Sequence, residues 1–268
     1  MAPALSTDEG SPAGRLFVVP SAEELARAAA GRLWGIVRDR AASLSRPGST
    51  TSRIRVALSG GKTPRRTYEI LSTEPYRSRF PWELVRFFQV DERWVPPEDP
   101  HSNQRLLRET ILSRAPVPPG HFVFVDTGLG EPEEGARRYE ETLRAEFPDP
   151  PGGFPRFDAV LLGIGEDGHT ASLFPGAPAG EGNAWVIPTA AAGDPLVRRV
   201  TLTLPAIDAA AQAIFIASGK EKARALRSVL SGDPKLPAAQ VNLKRGTVTF
   251  LADADAAGLV RKREGGKG

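Results

Sequence analysis

The stretch Phe157-Asp-Ala-Val-Leu-Leu-Gly-Ile-Gly-Glu-Asp-Gly-His-Thr-Ala-Ser-Leu-Phe-Pro-Gly176 decides how this chain folds. Residues 159–162 form an unbroken apolar run, the pattern of a strand buried on both faces of a parallel sheet. Gly163, Gly165 and Gly168 follow, so the backbone can turn sharply and approach a ligand closely. Asp167, His169, Thr170 and Ser172 stand among and directly behind them. A titratable cluster at the carboxyl end of a buried strand lies where open α/β sheets bind their ligands.

Working outward, strand-like runs fall at 16–19, 54–58, 84–90, 122–125, 185–187, 200–204, 213–217 and 248–251. Between them, helical patterns cover 23–40, 64–71, 103–112, 133–147, 205–212 and 220–230. This alternation predicts an α/β fold: a doubly wound, mostly parallel sheet flanked by helices on both faces, Rossmann-like in outline. Ser21-Ala-Glu-Glu24 has capping-box spacing at the head of the first helix. Arg46-Pro-Gly-Ser-Thr-Thr-Ser52 reads as a loop.

The chain has 268 residues, 40% apolar and 25% charged, which is enough for a full core. The Pro/Gly-dense stretch 148–155 is too short for a domain linker, so residues 15–258 are read as one domain. Residues 1–14 are expected to be a disordered extension and 259–268 a flexible basic tail. There is no cysteine, which excludes disulfides, thiolate metal sites and cysteine nucleophiles. The net charge of +3 is too small to point to nucleic acid, though it suits an anionic small substrate. No run is long enough to span a membrane, and residues 1–14 lack a signal-peptide core. A cytoplasmic protein, monomeric or a small homo-oligomer, is expected.

Three strand ends carry candidate chemistry. Gly163-Ile-Gly-Glu-Asp-Gly168 matches G-x-G-x-x-G, but no carboxylate ends a second strand about 20 residues on, so a dinucleotide is not expected. Gly61-Lys62-Thr63 looks like the end of a P-loop. However, Val56 stands where its first glycine belongs, and Pro64 adds a further departure. What survives is an anion-binding turn, Ser59-Gly60-Gly61-Lys62-Thr63, at a helix N-terminus. The third cluster is Asp91, Glu92 and Arg93; a surface salt-bridge cluster is the plain alternative for it. His169 is one of three histidines and sits beside Asp167 and Gly168, a setting for acid–base chemistry. His101 and His121 lack such a setting. No dense metal-ligand spacing occurs, so no metal and no cofactor are expected. Ser59 and Ser172 lack the G-x-S-x-G elbow of serine hydrolases.

Together these stretches resemble the 6-phosphogluconolactonases. The resemblance rests on Ser59-Gly-Gly-Lys-Thr-Pro64, Asp91-Glu-Arg-Trp-Val-Pro96 with Ser102-Asn103, and Gly163 to Gly176. Arg199-Val-Thr-Leu-Thr203 and Gly219-Lys-Glu-Lys-Ala223 complete it, spanning roughly residues 16–255. The related glucosamine-6-phosphate deaminases share the Asp-Gly-His but continue with Asn-Glu-Pro, where this chain has Leu173-Phe174-Pro175. The resemblance implies hydrolysis of 6-phospho-D-glucono-1,5-lactone in the oxidative pentose phosphate pathway, on a phosphorylated sugar lactone and without cofactor. It implies His169 as the base that activates water, with Asp91 and Arg93 orienting the sugar and polarising its reacting end. Ser59–Thr63, Asp167, Gly168, Arg199 and Lys222 would bind substrate and its phosphate. One departure stands out. Ala191-Ala-Gly-Asp-Pro-Leu-Val-Arg198 replaces a Pro-Lys-Pro-rich approach, leaving open whether Arg198 or Arg199 faces the site. The alternatives are a deaminase-like isomerase and a sugar-phosphate-sensing regulator domain. A regulator would need a DNA-binding unit ahead of the first helix, where only about twenty residues stand.

Overall fold

The computed structural model describes residues 6–11, 13–44, 53–180 and 182–260. The described residues form eleven strands: β1 (Ser6–Ser11), β2 (Gly14–Val19), β3 (Ile54–Leu58), β4 (Val85–Gln89), β5 (Asp91–Arg93), β6 (Phe122–Val123), β7 (Ala159–Gly163), β8 (Val186–Ala192), β9 (Val197–Leu202), β10 (Gln212–Ala217) and β11 (Thr247–Asp253). The α-helices are α1 (Ala22–Leu44), α2 (Lys62–Leu71), α3 (Tyr76–Arg79), α4 (Asn103–Leu107), α5 (Pro132–Glu146), α6 (Leu204–Asp208), α7 (Ala223–Leu230) and α8 (Pro237–Gln240).

Eight strands form one sheet in the order β1-β2-β11-β10-β7-β3-β4-β6. All its pairings are parallel except β1 with β2. From β3 the chain moves outward through β4 to β6. It then returns to β7, on the other side of β3, and moves the opposite way through β10. The winding reverses between β3 and β7, so a crevice opens outside their carboxyl ends. Both turns singled out in the sequence, Ser59–Thr63 and Gly163–His169, leave the sheet there.

The alternation of side chains along β7 divides the core. Leu161 packs with Val56, Leu58 and Leu33 of α1 on one face, and Val160 and Leu162 pack with Phe88, Phe157 and Leu226 of α7 on the other. Each of these is buried on a central strand or the helix covering it, which is why the strands read as apolar runs. Ser21 caps α1 as its spacing predicts, its hydroxyl accepting from the Glu24 N–H, while the Glu24 carboxylate accepts from that same hydroxyl rather than from the Ser21 N–H of a full capping box.

Several expectations are corrected. Residues 6–11 are not a frayed extension but an edge strand antiparallel to β2. The 200–204 strand is shifted, running from Val197 to Leu202, with Thr203 capping α6 through its hydroxyl. The strand expected at 185–187 is longer, β8 running on as far as Ala192. The predicted helix at 103–112 is α4 followed by a π-helical turn, Arg108–Leu112. Finally, β5, β9 and β8 form a second, antiparallel three-stranded sheet that a single parallel sheet does not include. The loop expected at 46–52, and the remainder of the two termini at 1–5 and 261–268, lie outside the described residues. No described helix is long and apolar enough to cross a membrane.

Candidate active site

The crevice is a cleft of about 360 Å³. Its floor is the Ser59–Pro64 turn between β3 and α2. One wall is the turn after β7 with His169; the other is Asp91, Arg93 and Arg199 from the small sheet, with Lys222 across the mouth.

The turn after β3 is built to present backbone donors. The Ser59 N–H and hydroxyl both bond to Leu161 O, at 3.1 and 2.8 Å, which ties the turn to β7. Gly61 adopts φ 107°, where a side chain would be strained, and precedes α2 without capping it. Gly60 to Thr63 line the cleft at the positive end of the helix, and their N–H groups have no protein acceptor among the described residues. Lys62 begins α2, so the helix opens two residues before the expected Pro64.

The turn after β7 holds a histidine–carboxylate pair. Asp167 Oδ1 accepts from the His169 N–H at 3.1 Å and lies 2.6 Å from His169 Nδ1. Burial pushes the Asp167 carboxyl up, but these two contacts outweigh it and hold it below the ordinary aspartate value. An ionised carboxylate at Nδ1 fixes the proton there and leaves Nε2 as the basic nitrogen. A Cβ on Gly165 would sit 2.1 Å from His169 Nδ1, so only glycine lets the pair lie against this turn. The Phe174 ring lies with its centroid 4.5 Å from that of the imidazole, tilted by 36°, and the Arg199 guanidinium sits over the same Phe174 ring, 5.5 Å from its centroid.

The small sheet supplies the third group. The Ser172 hydroxyl donates to Asp91 Oδ2 at 2.6 Å, locking that buried carboxylate to the His169 turn. Glu92 points the other way. It is buried and accepts from Gln89, Ser102 and the N–H groups of Arg93, Asn103 and Gln104, clamping the 91–104 loop. Burial pushes its carboxyl above the ordinary glutamate value in spite of those donors. Arg93 bonds to His101 O and to Asn103 Oδ1, while its Nε is buried without a partner. Arg93 and Arg199 are register partners on β5 and β9.

Alternation along β9 answers which arginine faces inward. Arg198 pairs with Glu131 and Glu133 on the outside. Arg199 is buried in the cleft, gripped by Ala192 O and Pro195 O. Burial lowers its pKa, and the Asp91 charge works against that. Lys222, in the turn before α7, lies 3.9 Å from Glu166.

Of the residues singled out from sequence, His169, Asp91, Arg93, Ser59, Gly60, Gly61, Lys62, Thr63, Arg199 and Lys222 line one cleft. Asp167 and Gly168 do not line it. Asp167 is turned onto the imidazole, and Gly168, at φ 82°, packs against Leu236. Both shape the His169 turn. Asn103, Glu166, Asp194 and Glu221 line the cleft and were not singled out as site residues. Asn103 was visible within the Ser102-Asn103 string, whereas Asp194 sits in the one loop that departs from the resemblance. Among the described residues no three His, Cys, Asp or Glu side chains cluster as metal ligands.

An open α/β sheet with an anion-binding turn and a histidine–aspartate pair meeting at its switch point defines a class of small-molecule enzyme rather than a nucleotide fold. The chain belongs to the family of glucosamine-6-phosphate isomerases and 6-phosphogluconolactonases, whose model matches residues 20–250. It is 39% identical over 199 residues to a 6-phosphogluconolactonase of Thermotoga maritima, covering 74% of this chain and 84% of that protein. A Synechocystis 6-phosphogluconolactonase is 37% identical, covering 75% and 82%. Among solved structures, the 6-phosphogluconolactonase of Trypanosoma brucei superposes with a TM-score of 0.79 at 29% identity, over 95% of this chain and all of that one. A monomeric glucosamine-6-phosphate deaminase shares the fold, with a TM-score of 0.73 at 22% identity.

Proposed function

We propose that the protein hydrolyses 6-phospho-D-glucono-1,5-lactone to 6-phospho-D-gluconate, the second step of the oxidative pentose phosphate pathway. The observation that carries this reading is that His169, with Nδ1 on Asp167 and no partner for Nε2 among the described residues, lines the same cleft as Gly60–Thr63, whose N–H groups have no acceptor among those residues. A lactone is an activated ester and needs no covalent nucleophile; a base, an anchored substrate and charge stabilisation suffice.

His169 Nε2 takes a proton from water as the water oxygen bonds to the lactone carbonyl carbon. The carbonyl electrons move onto its oxygen, which the guanidinium of Arg93 stabilises. The tetrahedral species then collapses, the bond from that carbon to the ring oxygen breaks, and the ring oxygen takes the proton from Nε2. The product acid ionises to gluconate. Asp91, fixed by Ser172, orients the sugar hydroxyls. The Gly60–Thr63 N–H groups, Lys62, Lys222 and Arg199 hold the distant phosphate and so fix the carbonyl against the water.

A deaminase-like isomerase on the same fold is the second reading. Phe174 disfavours it: the chain has an apolar ring, 4.5 Å from the His169 imidazole, at the sequence position where the deaminases carry their glutamate. The test is His169→Asn assayed on freshly generated lactone, above the spontaneous rate. Turnover is expected to fall ~100-fold or more with KM largely kept, as for loss of a general base. Near-wild-type turnover in the folded variant would remove His169 from the reaction.

A further inference from the structure

A second cavity, of about 550 Å³, opens between α1, α2 and α3 and shares no lining residue with the active-site cleft. It exists because α1 places small residues, Ala28 and Gly31, one turn apart over the β2–β11 edge of the sheet. Larger side chains there would fill it, so the sheet side chains Phe17 and Leu251 are left at its floor. Trp34 and Tyr76 meet edge to face at 5.8 Å and form an aromatic wall. This lining is mostly apolar, and the volume is that of a small-molecule site.

The rim has the opposite character. Arg27 and Arg66 both bond to Glu23 and are compensated. Arg32 reaches only the Thr249 hydroxyl, at 3.5 Å, and Arg79 has no carboxylate partner among the described residues. Glu74 is the one acidic side chain in the lining, and it accepts from Ser78. Two uncompensated guanidiniums therefore stand over an aromatic pocket. An apolar body needs the floor, and a single anionic group completes the rim.

We propose that this cavity is a binding site for a small amphipathic anion, a planar or branched apolar body carrying one sulfonate, carboxylate or phosphate. The inference is independent of the lactonase reading. Helix α2 joins the two sites, since its first turn lines the active-site cleft and Arg66 and Ile70 line the cavity.

The probe is anilinonaphthalene sulfonate, titrated into the full-length protein with Trp34 as the nearby donor. Saturable one-to-one binding is expected, with energy transfer from tryptophan. Arg32→Gln with Arg79→Gln should weaken it ~10-fold or more, as should replacing the anion by neutral N-phenylnaphthylamine. Ala28→Trp, which fills the hole, should abolish binding. Near-ultraviolet circular dichroism on each variant confirms that the fold is retained, and Trp34→Phe should remove the energy transfer without removing binding. The proposal is overturned by non-saturable binding, by equal affinity in the arginine double variant or in Ala28→Trp, or by equal affinity for the neutral probe. Sedimentation with phosphatidylglycerol vesicles that depends on Arg32 and Arg79, without one-to-one probe binding, would assign the patch to a lipid surface instead and also overturn it.

Discussion

At the scale of single residues, the proposed mechanism depends on which imidazole nitrogen carries the proton. Asp167 is half exposed and does not itself line the cleft, yet its 2.6 Å contact to Nδ1 leaves Nε2 as the nitrogen that can accept a proton. The Asp167→Asn variant can present an amide N–H to Nδ1 and favour the wrong tautomer. Turnover should fall at least ~10-fold with KM nearly unchanged, the pattern of a positioning residue. Unchanged turnover would mean that the carboxylate does not set the tautomer. The sequence placed Asp167 beside His169 but could not tell a residue that orients from one that binds, because that depends on which way the turn rotates. Glu92 makes the same point. It stands between two cleft residues, yet strand alternation turns it away to clamp the 91–104 loop.

At the scale of elements, the proposed phosphate anchor belongs to the junction of β3 with α2. Losing several charge-assisted bonds at ~1.5–3 kcal/mol each should make unphosphorylated glucono-1,5-lactone a substrate ~100-fold or more poorer in kcat/KM. Gly61→Val, forced onto φ 107°, should erase much of that preference. Equal efficiency on the two lactones in the wild-type protein would remove the anchor from this turn, whatever the variant does. The junction was legible because a buried strand, a Gly-Gly pair and a helix start leave distinct sequence patterns. The small antiparallel sheet was not. β5 is three residues long, and β8 contains Pro188 and an alanine run with no clear alternation. Its pairings are long-range, and nothing local in the sequence encodes them. β1 was missed for a related reason. Ser6–Ser11 is polar throughout and becomes a strand by pairing with β2.

At the scale of the molecule, the doubly wound sheet was readable from alternating patterns because both its faces are buried, and the reversal of its winding puts the cleft at β3 and β7. Stability carries one cost away from that cleft. Asp208, at the end of α6, accepts from the Asn242 N–H at 2.8 Å, and burial pushes its carboxyl up to about 6. A carboxyl raised on folding favours the folded state where it is protonated. That stability is lost as pH rises from the ordinary aspartate value through about 6. Asp208→Asn keeps an oxygen acceptor without the charge. It should gain about 1–2 kcal/mol near neutral pH, a few degrees in Tm, and nothing near pH 4. A gain of equal size at both pH values would show that the charge is not its source. The account as a whole stands on the substrate, and its most direct test is one preparation of the protein offered freshly generated 6-phosphogluconolactone and, separately, glucosamine 6-phosphate. Rapid formation of 6-phosphogluconate above the spontaneous rate, with no ammonia released from the amino sugar, is the predicted result. Release of ammonia, with lactone disappearing only at its spontaneous rate, would contradict it.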